Sequence, residues 1–82
     1  MIINLYSMKD ELVGFNPPVK FDNDQVAIRS FIELMKTDDY KGIRKDLSLY
    51  KLGSFDTNSG SFIAELPVKL IDGNSVTGNT NE

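Results

Sequence analysis

Between Lys36 and Lys51 the chain gathers Lys36, Lys41, Arg44, Lys45 and Lys51 against Asp38, Asp39 and Asp46, with Tyr40 and Tyr50 set among them. Lysine and arginine can hold phosphates while a base stacks on an aromatic face, which is how single-stranded nucleic acid is bound without reading its sequence. The same residues also fit a plainer role, a hydrated connection of mixed charge. The whole chain is acidic, with a net charge of −3 and a pI near 4.8, whereas a domain that binds nucleic acid mainly by charge has a pI above about 9. Binding through this cluster would therefore be local. Lys36, Lys41, Arg44 and Lys45 are the candidate phosphate contacts, with Lys51 beside them and Tyr40 as the stacking ring.

No other grouping offers a reaction. The chain has neither histidine nor cysteine, which removes the usual general base, a thiol nucleophile, disulfides and the commonest metal ligands. The carboxylate pairs Asp10-Glu11, Asp22/Asp24 and Asp38-Asp39 read as loop solvation, helix capping and a polar helix exit. Asp56-Thr57-Asn58-Ser59-Gly60 invites comparison with a calcium loop. An EF-hand, however, needs glycine at its sixth position and glutamate at its twelfth, where this chain has Ser61 and Pro67. No phosphate-cradling glycine motif is present. The chain reads as a non-enzyme without a cofactor. Tyr6, Phe15, Phe21, Phe31, Phe55 and Phe62 could supply a stacking platform, but Phe31 reads as core and Phe55 and Phe62 as cross-strand packing, so these aromatics are not taken as ligands for a base.

These side chains need a scaffold, and its elements are legible. Ile2–Ser7 is a β-rich run and reads as a first strand. Residues 9–18, with Gly14, Asn16, Pro17 and Pro18, read as a loop, because adjacent prolines suit neither a helix nor a central strand. Val19-Lys20-Phe21 suits a short edge strand. Asp22 as N-cap, with Gln25 three residues on, forms a capping-box pattern, and Ala27, Ile28, Phe31, Ile32, Leu34 and Met35 recur at helical spacing to about Lys36. Arg29 and Glu33 are spaced to pair on its outer surface. Leu47–Phe55 and Ser61–Leu66 form a hairpin around Asp56–Gly60. Pro67 should confine the second strand to an edge or end it, with a last extended piece over Val68–Ile71.

The predicted architecture is α+β: one amphipathic helix packed on a small, mainly antiparallel sheet of three to four strands. Residues 1–73 make one domain, and the Asn, Ser, Thr and Gly of residues 74–82 predict a disordered tail. A chain of 82 residues buries only roughly 60% of its unfolded surface, so a homodimer contact would help it. The sequence shows neither a signal peptide nor an apolar run near the roughly 20 residues that span a bilayer. It is expected in a cytoplasm, away from any membrane.

Three motifs carry a family resemblance. Tyr6-Ser7 followed by Asp10 resembles a Y-S-x-x-D opening. Asn23-Asp24 with Ala27, Arg29 and Phe31 resembles an N-D-x-x-A-x-R-x-F helix. Leu49-Tyr50, then Leu52-Gly53, Phe55-Asp56 and Ser59-Gly60, resembles an L-Y-x-[IL]-G-x-F-D-x-x-T-G hairpin. Together, in order and over about residues 3–72, they are similar to the small non-structural protein of gokushoviruses, microviruses that infect bacteria. Ser59 stands in place of the usual threonine, and the loop before Asp46 lacks the proline typical of that family. The resemblance implies a DNA-binding protein acting in the host bacterial cytoplasm during replication or packaging of a single-stranded DNA genome. The site residues above rest on charge placement, not on the resemblance. The alternative is a protein–protein adaptor that modulates the phage replication protein or a host factor without touching DNA.

Overall fold

The computed structural model describes residues 1–76. Three long strands form the body of one antiparallel sheet: β1 (Ile2–Asp10), β4 (Leu47–Asp56) and β5 (Phe62–Asp72). Two short strands, β2 (Gly14–Phe15) and β3 (Val19–Phe21), pair with the other side of β1, giving the order β2-β1-β4-β5 with β3 beside β2's end of the same edge. The sheet has five strands where three to four were expected. β1 also runs on through Met8–Asp10, so part of the expected loop at 9–18 is a turn between paired strands, in which Lys9 faces Phe15.

Helix α1 (Asp24–Met35) lies on one face of this sheet. Its start is one residue later than the sequence suggested. Asn23, in extended conformation, accepts a hydrogen bond from the Val26 N–H at 2.9 Å. Asp22 lies one step too early to cap, and Gln25 is then only the second helical residue, so no capping box closes. Ala27, Phe31 and Met35 are buried, Ile28 and Ile32 pack partly against the core, and Leu34 is exposed. The stripe is thus narrower than the spacing implied. Arg29 and Glu33 are not joined among the ion pairs of the described residues. Beyond α1 the connection is more structured than its polar composition suggests. It holds a short helix α2 (Asp38–Lys41) and a 3₁₀ turn (Arg44–Asp46) before β4 begins.

The core joins Ala27, Phe31 and Met35 to Tyr6, Leu47, Leu49 and Val76. Tyr6 is fully buried and its hydroxyl donates to Asp24 Oδ1 at 2.6 Å, tying β1 to the first turn of α1. Pro67 lies within β5, an edge strand as expected, but it does not end the strand. It falls where the β4–β5 register shifts between Lys51 and Gly53, so its missing N–H removes no regular ladder bond. Gly53 sits at that irregularity with φ +144°, and a Cβ there would collide with the Ile63 carbonyl. Phe55 and Phe62 face each other across the hairpin, ring centroids 4.9 Å apart.

The boundary drawn at residue 73 moves outward. Gly73–Ser75 form a 3₁₀ turn capped by Asp72, and Val76 is buried in the core. One apolar side chain in a polar segment was enough to dock it. The remainder of the expected tail, residues 77–82, lies outside the described residues.

Candidate nucleic-acid interface

The basic residues singled out in the sequence do not form one surface. Lys36 caps the end of α1 and is exposed, as is Lys45. Lys41 pairs with Asp38 at 3.7 Å. Arg44 is half-buried and donates to the Met35 carbonyl at 3.4 Å, closing the exit of α1. These four share the end of the molecule where α1 hands over to β4. Lys51 is apart from them, within β4 and opposite Tyr6 and Val68, roughly 13 Å along the strand from its start at about 3.3 Å per residue. Tyr40 is half-buried with its ring packed against the core, so it presents less free face than its sequence neighbours implied.

A different constellation lies on the face of the sheet that α1 does not cover. Successive strand side chains alternate between faces. In β1 Tyr6 and Met8 point toward the helix side with Leu49 opposite Met8, so Ser7 and Lys9 point away. Register then carries this open face across the sheet: Lys9 is opposite Ser48 and Ser7 opposite Tyr50, while Tyr50 is opposite Lys69 on β5. Lys9 is also opposite Phe15 on β2. Phe15 and Tyr50 meet edge to face, centroids 5.2 Å apart. Lys9 Nζ stands 5.3 Å from the Phe15 centroid and 5.7 Å from that of Tyr50, and Lys69 Nζ stands 6.0 Å from Tyr50 on the other side.

The result is an aromatic pair with an ammonium on each side. Because the rings are set edge to face, a planar base can stack on one of them while phosphates meet the ammoniums. Two carboxylates moderate it. Glu11 accepts from Lys9 at 3.3 Å and from the Tyr50 hydroxyl at 3.4 Å, and Asp72 pairs with Lys69 at 3.6 Å. Desolvation tends to raise the Glu11 carboxyl, but its contact with Lys9, the neighbouring polar Ser48 side chain and the charges of Lys9 and Lys69 outweigh it and hold Glu11 below the usual carboxylate range. Ser48 is 1% exposed, and its Oγ lies beside Glu11 without a well-formed hydrogen bond. The flanking ion pairs are partly solvated, so they hold weakly and a phosphate can compete for the lysines.

Sequence reading did not single out Lys9 or Lys69, set Phe15 aside as a ligand for a base and did not place Tyr50 among the site residues. They come from three separated segments and meet only through strand register. The usable signal was the alternation of β1, which sets Lys9 on the face opposite Tyr6 and Met8. On the helix side, an apolar cavity of about 340 Å³ opens between α1 and residues 16–21, with Met8, Val19, Phe21, Phe31 and Leu34 in its wall. Among the described residues there is no cluster of three or more metal-ligating side chains, and no helix is long and apolar enough to cross a membrane.

A family model described as Phage ORF5 protein matches residues 3–76. No curated protein and no solved structure matches the chain. The match takes in every strand but the first residue of β1, together with α1 and the docked Val76. The chain belongs to the Phage ORF5 protein family and is a phage protein.

Proposed function

We propose, from its membership of a phage protein family, that this chain binds single-stranded DNA without enzymatic activity during genome replication or packaging in the host bacterial cytoplasm. We identify it with the gokushovirus-type small non-structural protein that its motifs resemble. The observation that carries the reading is the Phe15–Tyr50 pair on the uncovered sheet face, flanked by Lys9 and Lys69. The open face binds bases, and Lys9 and Lys69 beside the rings meet the phosphates. Affinity is modest, since Glu11 and Asp72 already occupy the two lysines nearest the rings. The test is fluorescence anisotropy of a labelled single-stranded oligonucleotide at low salt. Binding that weakens as salt rises is expected, and absence of binding at low salt removes the proposal.

A specific feature favours a second reading, the adaptor. β5 is an open sheet edge, and along it Phe62 is 71% and Leu66 87% exposed, with Ile63 and Val68 also solvated. An edge of this kind suits strand addition by another chain, either a replication protein or a second copy forming a homodimer. Sedimentation across a wide concentration range decides the homodimer. A single monomeric species at high micromolar concentration removes it.

A further inference from the structure

We infer that Glu11 makes the open face prefer bases that display N–H donors, guanine above all, over thymine. The inference rests on the reading of that face as the DNA surface and adds a specificity to it.

The position of the carboxylate supplies the argument. Glu11 sits in the turn after β1, and its Oε2 lies 3.4 Å from the Tyr50 hydroxyl, at the rim of the stacking ring. A base stacked on the Tyr50 ring therefore projects one edge toward this carboxylate. Glu11 is ionised at neutral pH because Lys9 and its surroundings favour the charged form. An ionised carboxylate only accepts hydrogen bonds. Guanine offers N1–H and N2–H side by side, a match for both carboxylate oxygens. Cytosine and adenine each offer an exocyclic amine. Thymine offers one N–H between two carbonyl oxygens, which the carboxylate repels.

The carboxylate is also placed to turn without losing its support. Its contact with Tyr50 is long and Lys9 holds the other oxygen, while the Ser48 hydroxyl beneath it has a hydrogen bond still to make. Lys9 can pass to a phosphate as a base takes its place on Glu11, with Ser48 closing on the carboxylate from below. No bond beyond hydrogen bonds is formed or broken.

The experiment uses the full chain and short oligonucleotides of thymine in which a few positions carry guanine, inosine or cytosine. Inosine is guanine without its exocyclic amine and isolates that group. Affinity should fall in the order guanine, inosine, thymine. The guanine-to-thymine ratio should be roughly tenfold, within what one two-bond base contact supplies. Glu11→Gln should collapse that ratio toward one. Glu11→Asp keeps the charge near Lys9 but withdraws the carboxylate by one methylene, so it should narrow the ratio while leaving the salt dependence alone. Thermal midpoints of both variants confirm that they fold. Equal affinity for all bases in the native chain, or a ratio unchanged by both substitutions, overturns the role of Glu11 while leaving DNA binding intact. Failure to bind any oligonucleotide removes the DNA surface itself, and the base preference with it.

Discussion

The same strands present two unlike faces. On the helix side, Tyr6 and Leu49 are buried with Ala27, Phe31 and Met35, and the buried Tyr6 hydroxyl is matched to Asp24. On the open side, aromatic rings meet lysines, each lysine has a carboxylate within 4 Å, and the Ser48 hydroxyl is left over. The first arrangement is a packed core whose buried hydroxyl has its partner within the chain, and the gain is stability. The second has cations and π-faces already close together but held by exchangeable surface pairs, which is how a face suited to an outside ligand differs from a core. In so small a domain, one residue of strand alternation separates the two roles.

That division predicts that damage to one face leaves the other working. Phe31→Ala removes the central ring of the helix stripe and should cost about 3–5 kcal/mol, a large part of the stability of any small domain. Chemical denaturation measures it. The molecules that remain folded should bind oligonucleotide as before. Loss of binding in proportion to neither stability nor folded fraction would show that the faces are coupled.

Tyr6→Phe tests the same face through its polar contact. Loss of a buried hydrogen bond to a charged partner should cost about 1.5–3 kcal/mol. It should also change the alkaline limb of the stability curve. Burial, and then the Asp24 carboxylate that accepts its hydrogen bond, push the Tyr6 phenol well above its usual value. A raised folded-state pKa means that the protonated phenol is favoured in the fold. This stabilisation is complete below about pH 10, the value for an unfolded tyrosine, and is lost as pH climbs beyond it. The native chain should therefore weaken above about pH 10 and Tyr6→Phe should flatten that decline. Parallel decline in both proteins would assign it to other groups.

Tyr50→Ala turns to the open face and should show the reverse pattern from Phe31→Ala. Binding should weaken by about 1–3 kcal/mol if a base stacks there, with only a small change in denaturation midpoint. A large stability loss without a binding loss would make Tyr50 a structural residue and sharpen the comparison against the proposal.

How much of this was legible depends on whether the signal was local. Ala27, Phe31 and Met35 announce themselves by spacing alone, and the turn at Asp56–Gly60 by its residue types. The cap was misplaced by one because Asp22 and Asn23 both have oxygens that can accept, and only backbone geometry selects Asn23. Pro67 left two outcomes open, an edge strand or a stop, and only the register shift, which a local reading cannot see, selects the edge. The open-face constellation was hidden for a related reason: Lys9, Tyr50 and Lys69 are neighbours through pairing, and no window of sequence contains them. The local window found the charge cluster at 36–51 instead, because density along the chain is what a window measures.

Val76 makes a smaller and cleaner test of the boundary. Val76→Ala should cost about 1–2 kcal/mol, the value of two buried methylenes with partial collapse around them. Removing residues 77–82 while keeping Val76 should cost less than about 0.5 kcal/mol. Equal losses would mean that the docking extends past residue 76.

The finest distinction lies between the two sets of basic groups. Each lysine that neutralises a phosphate on a single strand contributes about −0.7 to the slope of log affinity against log salt. Replacing both Lys9 and Lys69 by alanine should therefore make the slope shallower by about 1.4 if the open face carries the backbone. Replacing Lys41, Arg44 and Lys45 together tests the sequence-derived cluster, and the structure bears unequally on its members. Lys41 is shared with Asp38 and Arg44 with the Met35 carbonyl, which leaves Lys45 the freest of the three. The triple variant should shift the slope by about 0.7 or less, with some loss of stability from Arg44. A larger shift in the triple variant than in the double one would move the DNA path from the open face to the exit of α1. Because slopes depend on the number of contacts rather than on their individual strengths, this comparison holds even when absolute affinities are weak.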